Sequence, residues 1–553
     1  MLDERAIVGC LLRVFTFGLL LACSGCVSHQ LSAEEMLDLA GHSLNMNRNG
    51  WTDSAYVTNS VRSDLSSTGA LLANRDVDKT NQSFPWHSSR PICIDDHDTK
   101  RVRKQKQNLE TSIAQVLVKF DAHLKGGGDA RIVFFIHGGL VGLQQANFEA
   151  HKVWRAFSKN NPDKAFPLFV NWDTGIFSAT SDTFLRDGTV GERNRTIAEE
   201  GPRPLIELSP SRRTVPGSFL APFRVWREFL GATGRAPFTL GTQTQLLLNP
   251  PPKLVDFPRP QNWDHVIFPR EVDRTERTSW SDMVTEVFPG ALRAFSPAYD
   301  FLGSGGYTQM MRRAANLVRQ EADYANASYR RCSVLARLFD ELRAYEAVVR
   351  GSIPIENFEY GRRVHEVPAE SRISYTIVAH SLGALVADDI IADNEDLWIE
   401  DAVYLNPANT IVNFANKVIP YLKLNANFRT HIFTLHPERE SNEVNLGKVV
   451  PVGSLLTWID RFLNQPINDL ERTVGDWRNL AATLTQIGYL TTEQRQRVRI
   501  VVFGQREGFP LMHGDANQPP LKDDKSREYQ GAPFWRWHKQ KISVSDDLFD
   551  FKG

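Results

Sequence analysis

Three kinds of feature are scarce or absent in this chain, and each absence excludes a class of protein. The 553 residues contain only 5 cysteines, too few for a disulfide-based scaffold. Lysine and arginine (64) balance aspartate and glutamate (65), and the net charge of -1 gives no basic field to attract nucleic acid. No G-x-G-x-x-G, P-loop or zinc-binding pattern is present, so we predict neither a cofactor nor a metal.

The apolar run near the N-terminus is too short to cross a bilayer, which takes roughly 20 residues. Residues 14–22, "VFTFGLLLA", follow two arginines and are typical of an export signal. The stretch "LLACSGC" at the end of this run resembles a bacterial lipoprotein signal. The resemblance implies a signal peptide over 1–22 and lipidation of Cys23, with Cys26 as the alternative. We therefore expect a lipid-anchored protein of the bacterial cell envelope, or a secreted one if the signal is an ordinary cleaved signal.

Residues 23–105 show no sustained apolar period and are rich in Ser, Asn, Asp and Thr. This composition favours an N-terminal tether with some local structure. The cluster "CIDDHD" at 93–98 has no second group of ligands at a useful spacing. We interpret it as a solvated turn and not as a metal site.

Buried strands alternate with amphipathic helices in two parts of the chain. Residues 108–124 have a helical apolar period, the run 132–136 predicts a strand buried on both faces, and "FPLFVNWDTG" predicts the next one. The same alternation resumes at Arg372 with "RISYTIVAHSLG", "DAVYLNPAN", "HIFTLHPERES" and "RVRIVVFGQREG". The sequence thus predicts an α/β fold with a mostly parallel sheet flanked by helices.

The alternation divides the chain into a first core part, 106–177, and a second core part, 366–553. Residues 178–365 interrupt the pattern, and their first part is dense in Pro, Arg and Gly. We predict that this block is an inserted cap, separate from the sheet, that covers the carboxyl ends of the strands. Open α/β sheets bind their ligands at that edge.

The stretch "SYTIVAHSLGALV" at 374–386 places Ser381 between a predicted strand and a predicted helix. Ala379 and Gly383 supply small residues two positions before and two after this serine, as a sharp strand-to-helix turn requires. A matching strand upstream ends in "HGGL". Together these features resemble the α/β-hydrolase family, particularly lipases and esterases, over about 108–175 and 366–515.

The resemblance implies that Ser381 is the nucleophile and that backbone N–H groups stabilise the oxyanion. The implied donors are Gly139 and Leu382, with Gly138 or Leu140 as alternatives to Gly139. We expect His380, beside the nucleophile, to be a packing or supporting residue.

A serine nucleophile needs a histidine base and an acid that orients it. The base is expected past the last strand, where His513 in a Gly- and Pro-bearing loop is favoured over His538. For the acid, one lipase subgroup carries Asp-Pro-Ala after the strand that follows the nucleophile, but this chain has Asn406 there. The role therefore moves to Glu438, at the next strand end, with Glu440 second.

These residues and the lipid anchor predict a serine hydrolase that cleaves carboxylic esters, with a lipid or other acyl ester as substrate. Two alternatives stay open. In the first, the protein is a non-catalytic envelope lipoprotein that uses the hydrolase scaffold for binding. In the second, it is an acyltransferase or thioesterase with the same three catalytic residues.

Overall fold

The structure is a computed structural model, and it describes residues 31–46, 100–139, 141–160, 164–175, 266–267, 307, 310–315, 317–318, 333–351, 371–435, 440, 454–460, 466, 468–503 and 513–514. Cys23, Cys26, Leu140, Glu438 and His538 lie outside these residues, as does most of the predicted cap.

The described residues form one sheet of eight strands, and every pairing in it is parallel. The strands in chain order are β1 Ser43–Met46, β2 Arg131–Ile136, β3 Phe166–Trp172, β4 Val266–Ile267, β5 Ser374–His380, β6 Trp398–Leu405, β7 Arg429–Leu435 and β8 Val498–Phe503. Their order across the sheet is β1-β3-β2-β5-β6-β7-β8-β4. The predicted parallel α/β sheet is confirmed.

Helices connect the strands, as parallel pairing requires. They are α1 Ala33–Leu39, α2 Lys100–Lys125, α3 Leu143–Asn160, α4 Val334–Ala344, α5 Gly383–Asp393, α6 Ile411–Asn413, α7 Ile419–Leu424, α8 Leu455–Trp458, α9 Leu480–Gly488 and α10 Thr492–Gln496. A π-helical segment, Tyr345–Arg350, continues α4, and another, Phe414–Val418, joins α6 to α7.

Both faces of the sheet are buried, because alternate strand residues enter two separate apolar clusters. Ile132, Phe134 and Ile136 of β2 pack on one face with residues of α2, α4 and α5. Val133 and Phe135 point to the other face, where they pack with residues of α1 and α3. The continuous apolar runs of the sequence therefore reflect a sheet that lies between two helical layers.

Part of the N-terminal extension contributes to this fold, so residues 33–46 do not belong to the predicted tether over 23–105. Helix α1 packs beside α3, and β1 is an edge strand paired with β3. Three of the four residues of β1 are buried. A four-residue strand is too short to show a period in the sequence, and this is why the prediction missed it.

The described parts of 178–365 also differ from the predicted cap. Val266 and Ile267 pair with β8 as an edge strand of the sheet. Helix α4 lies between β4 and β5 in the chain and is packed in the main core. Buried Arg337 of α4 donates to both carboxylate oxygens of Glu110 on α2, at 2.6 and 2.7 Å. At least these segments belong to the body of the fold.

Among the described residues, none of the helices combines the length and the apolar character that a membrane span requires.

Candidate active site

Ser381 stands where β5 ends and α5 is about to begin, at the carboxyl edge of the sheet. Its φ is +50°, a left-handed conformation that costs a non-glycine residue about 1–3 kcal/mol. Its N–H donates to Leu405 O at 2.9 Å, and its carbonyl accepts from Ala408 N–H at 2.9 Å. The last residue of β6 and the loop after it therefore hold the strained turn through the N–H and the carbonyl of Ser381.

The small residues around Ser381 have the steric purpose that the sequence suggested. A Cβ on Gly383 would lie 2.6 Å from Ile136 O and 2.7 Å from His137 O. Helix α5 thus begins in direct contact with the backbone of β2, and a side chain at position 383 would separate them. Ala379 is fully buried in the strand before the turn.

His513 is the histidine that the structure brings to the serine. Its Nε2 lies 2.8 Å from Ser381 Oγ although the two residues are 132 positions apart. Burial, together with the nearby His380, holds the pKa of His513 well below its usual value. The imidazole is consequently neutral at physiological pH, and Nε2 can accept the proton of the serine hydroxyl.

The turn after β2 lies against the same serine. A Cβ on Gly138 would lie 2.9 Å from Ser381 Cβ, and one on Gly139 would lie 3.3 Å from Leu382 Cβ. Glycine at these two positions therefore allows the turn to approach the nucleophile closely.

His137 fixes the orientation of this turn. Its Nδ1–H donates to Gly138 O at 2.7 Å, and its Nε2 accepts from Trp172 N–H at 2.9 Å. Burial lowers the pKa of His137 to about 4, so the ring stays neutral and can make both contacts. The peptide is trans, and the N–H of Gly139 is therefore directed away from His137.

Two backbone donors are available beside the serine. Within the part of the chain that the structure describes, no acceptor takes the N–H of Gly139 or of Leu382. Leu382 also caps the N-terminus of α5, where the helix dipole favours negative charge. The arrangement can stabilise an oxyanion that forms on a carbonyl group attacked by Ser381 Oγ.

The neighbouring polar residues contact the main chain of His513 and not its ring. Asn406 Nδ2 donates to the carbonyl of His513 at 3.1 Å, and His380 Nε2–H donates to the same oxygen at 2.9 Å. The amide of Asn406 is therefore not in the position of an acid that orients the imidazole.

Glu440 has other partners as well. Its Oε1 accepts from Ser454 Oγ at 2.7 Å, and its Oε2 accepts from Trp477 N–H at 3.3 Å. Burial, and then the nearby Asp476, raise the pKa of Glu440 well above its usual value. Both oxygens link the segment after β7 to the 454–479 region, so the structure gives Glu440 a structural role.

Two residues near the site carried no recognisable signal in the sequence. Met310, from the predicted cap, has its Sδ 3.7 Å from where a Cβ on Gly139 would lie. Asp388 of α5 accepts from Tyr404 Oη at 2.8 Å and from Asn409 Nδ2 at 2.7 Å, which ties α5 to the loop after β6. An isolated methionine or helical aspartate has no spacing that would reveal such contacts.

Among the described residues, no group of three or more His, Cys, Asp or Glu side chains is arranged to hold a metal ion. Comparison of the chain with protein-family models, with curated proteins and with solved structures gave no match.

Proposed function

We propose that the chain is a serine hydrolase of the α/β-hydrolase type that cleaves carboxylic esters through an acyl-enzyme. The observation that carries the proposal is the 2.8 Å contact between His513 Nε2 and the oxygen of Ser381 on a strained turn. A buried, neutral histidine beside a hydroxyl is the pair that nucleophilic acyl transfer requires.

In the proposed reaction Ser381 Oγ adds to the ester carbonyl while His513 Nε2 takes the hydroxyl proton. The N–H groups of Gly139 and Leu382 donate to the oxyanion, each worth about 3 kcal/mol. The C–O bond then breaks, and His513 returns the proton to the leaving alcohol. Water attacks the acyl-enzyme with His513 again as the base, which releases the acid and restores the serine.

Glu438 is our proposed orienting acid. It follows the end of β7 by three residues, and parallel strands release their following loops at the same edge of the sheet. Glu438→Gln should lower kcat by a factor of about 10⁴, because the amide cannot stabilise the imidazolium. The matched control is Glu440→Gln, whose side chain has other partners and whose kcat should change little.

A lipid or other acyl ester is the proposed substrate class. Support comes from the apolar side chains of Met310 and Leu382, which line the turn that would bind the carbonyl oxygen. A series of p-nitrophenyl esters of increasing acyl length, assayed with and without an alcohol acceptor, measures chain preference. It also separates hydrolysis from acyl transfer, the remaining catalytic alternative.

The proposed function is tested by covalent labelling with a fluorophosphonate, which a serine attacks with loss of fluoride. Wild-type protein should be labelled at Ser381, and Ser381→Ala should lose both labelling and ester hydrolysis with little change in melting temperature. Ser371→Ala is the control, since that serine precedes β5 at the opposite end of the strand and donates to Arg350 O. Labelling that persists in Ser381→Ala would refute the assignment, and an unlabelled wild type would favour the non-catalytic alternative.

We also propose that Cys23 carries the lipid that anchors the chain to the bacterial envelope. Labelled palmitate should enter the wild-type protein and should not enter Cys23→Ser. Incorporation that survives in Cys23→Ser and is lost in Cys26→Ser would move the anchor to the later cysteine.

A further inference from the structure

The base of the proposed hydrolase lies beyond the last strand of the sheet. His513 follows the end of β8 by ten residues, whereas the nucleophile is fixed between β5 and α5. Catalysis requires reacting atoms held within a few tenths of an ångström, and a 1 Å displacement costs roughly 100-fold in rate. Some contact must therefore register the main chain of His513 against the sheet.

Two side chains donate hydrogen bonds to the same main-chain atom of His513. The carbonyl oxygen of His513 accepts from His380 Nε2 at 2.9 Å and from Asn406 Nδ2 at 3.1 Å. A carbonyl has two lone pairs, so these two donors satisfy it completely. We propose that His380 and Asn406 act together as positioning residues that clamp the main chain of His513 and thereby place its imidazole on Ser381. This inference rests on the proposed function.

His380 is itself held rigidly. It is the last residue of β5, it is 7% exposed, and its ring centroid lies 5.2 Å from that of His513. A Cβ on Gly138 would lie 2.8 Å from His380 Nδ1, so the turn after β2 packs directly on the ring. Because the carbonyl can only accept, Nε2 must carry the proton of the neutral ring.

Asn406 is held by the next strand. It follows β6 directly, is fully buried, and has φ of +45°, which asparagine adopts more readily than most residues. Its N–H donates to Phe433 O of β7 at 2.8 Å. The same end of β6 holds Ser381 through Leu405 O and Ala408 N–H. The end of β6 and the residues after it therefore hold both the nucleophile Ser381 and the main chain of the base His513.

The clamp predicts that the donor matters and not only the shape of the side chain. Asn406→Asp keeps the shape but replaces the donor with a carboxylate that faces a carbonyl oxygen. His380→Gln keeps an N–H near the position of Nε2, whereas His380→Asn places its amide near Nδ1 and cannot reach the carbonyl. The matched controls are the buried residues Asn394 and His431, both remote from Ser381, as Asn394→Asp and His431→Gln.

The measurements are the rate of fluorophosphonate labelling and the kcat, KM and pH profile for a soluble p-nitrophenyl ester. Asn406→Asp and His380→Asn should each lower the labelling rate and kcat by roughly 10- to 100-fold, with KM changed little. The rates of these two variants should keep rising as the pH increases. The rate of the wild type should instead reach a plateau at the pH where His513 is neutral. His380→Gln and both controls should stay within about threefold of the wild type.

The outcomes separate the two proposals. A wild type that fluorophosphonate does not label at Ser381 overturns the proposed function and the clamp together. A labelled wild type with Asn406→Asp or His380→Asn labelled at the same rate overturns the clamp alone. Faster hydrolysis by Asn406→Asp would also overturn it, because position 406 would then serve as the acid. If His380→Asn does not fold, loss of rate in His380→Gln is the result that contradicts the clamp.

Discussion

The two ends of the parallel sheet both contain buried histidines, but the partners of these histidines differ. At the amino end, His431 of β7 lies 3.2 Å from Asp401, which Arg429 also binds at 2.9 Å. At the carboxyl end, the neutral His380 and His513 contact backbone carbonyl and hydroxyl groups. Burial lowers the pKa of all three rings, but at His431 the Asp401 carboxylate partly offsets it.

This difference separates stability from chemistry. The buried carboxylate of Asp401 is paired with the guanidinium of Arg429 and is therefore compensated and inert, whereas a neutral imidazole beside a hydroxyl can exchange a proton. Three described non-glycine residues have positive φ: Ser381 and Asn406 lie at the carboxyl end of the sheet, and Lys164 lies in the turn before β3. Backbone strain of this kind is typical of functional sites.

The largest expected effect compares a histidine from each end. His513→Gln should lower kcat for ester hydrolysis by a factor of roughly 10⁶, because the serine loses its base. His431→Gln should leave kcat within about threefold, since this residue touches neither Ser381 nor the turn after β2. Stopped assays with purified protein measure both, and melting curves establish that each variant is folded. Equal losses in the two variants would remove the functional distinction between the ends.

The second prediction concerns how closely the backbone packs at the carboxyl end. Gly383→Ala should destabilise the protein by about 3 kcal/mol, because the new methyl group meets two backbone carbonyl oxygens that cannot move aside. At Gly488, the last residue of α9, the described residues outside that helix and the adjoining positions place no atom within 4 Å of the new Cβ in Gly488→Ala. It should stabilise the protein by about 0.5 kcal/mol, through the lower entropy of the unfolded chain. Urea unfolding measures both changes.

A destabilised Gly383→Ala that still folds should also react more slowly with fluorophosphonate, because Ser381 and Leu382 lead directly into α5. Unchanged stability in Gly383→Ala would mean that α5 can shift away from β2, and the tight turn would then not be a fixed feature of the site.

The sequence predicted the strands that are buried on both faces, because a continuous apolar run as short as 132–136 between turn residues is typical of such strands. It also predicted that Ser381 lies on a strand-to-helix turn, since the small residues on each side have one steric purpose there. It did not predict β1, which is too short for a period, or the membership of α4 in the core. The positions of Met310 and Asp388 depend on tertiary contacts that no local spacing encodes.

The polar partners of His513 show the same limit. Asn406 could be identified as a departure from the Asp-Pro-Ala pattern, but its contact with a carbonyl 107 positions away depends on the fold. The histidine of "HGGL" marks a strand end in the sequence, yet its role in fixing the Gly138 carbonyl depends on the geometry of β3. Residue types predict which chemistry is possible, and the tertiary packing determines which atom each side chain contacts.

The smallest effect contrasts two buried aspartates, one from each end. Asp401 has a basic partner within contact distance, whereas Asp388 accepts hydrogen bonds from the neutral Tyr404 and Asn409. Burial raises the pKa of Asp388 to about 7. Between about pH 4 and pH 7 the folded protein therefore binds a proton that the unfolded chain has lost. Stability falls as the pH rises through this window, and above pH 7 the whole penalty is present.

Asp388→Asn should remove this penalty, because asparagine is uncharged and can still donate to Tyr404 Oη and accept from Asn409. We expect the variant to be more stable than the wild type already at pH 5, and this advantage should grow by about 2–3 kcal/mol between pH 5 and pH 8.5. Asp401→Asn should instead be less stable at both pH values, since it leaves Arg429 without its buried partner. Urea unfolding at the two pH values measures the difference. If Asp388→Asn is less stable than the wild type at pH 8.5, Asp388 is ionised and its charge is compensated in the folded protein. The buried carboxylates at the two ends of the sheet would then not differ in this respect.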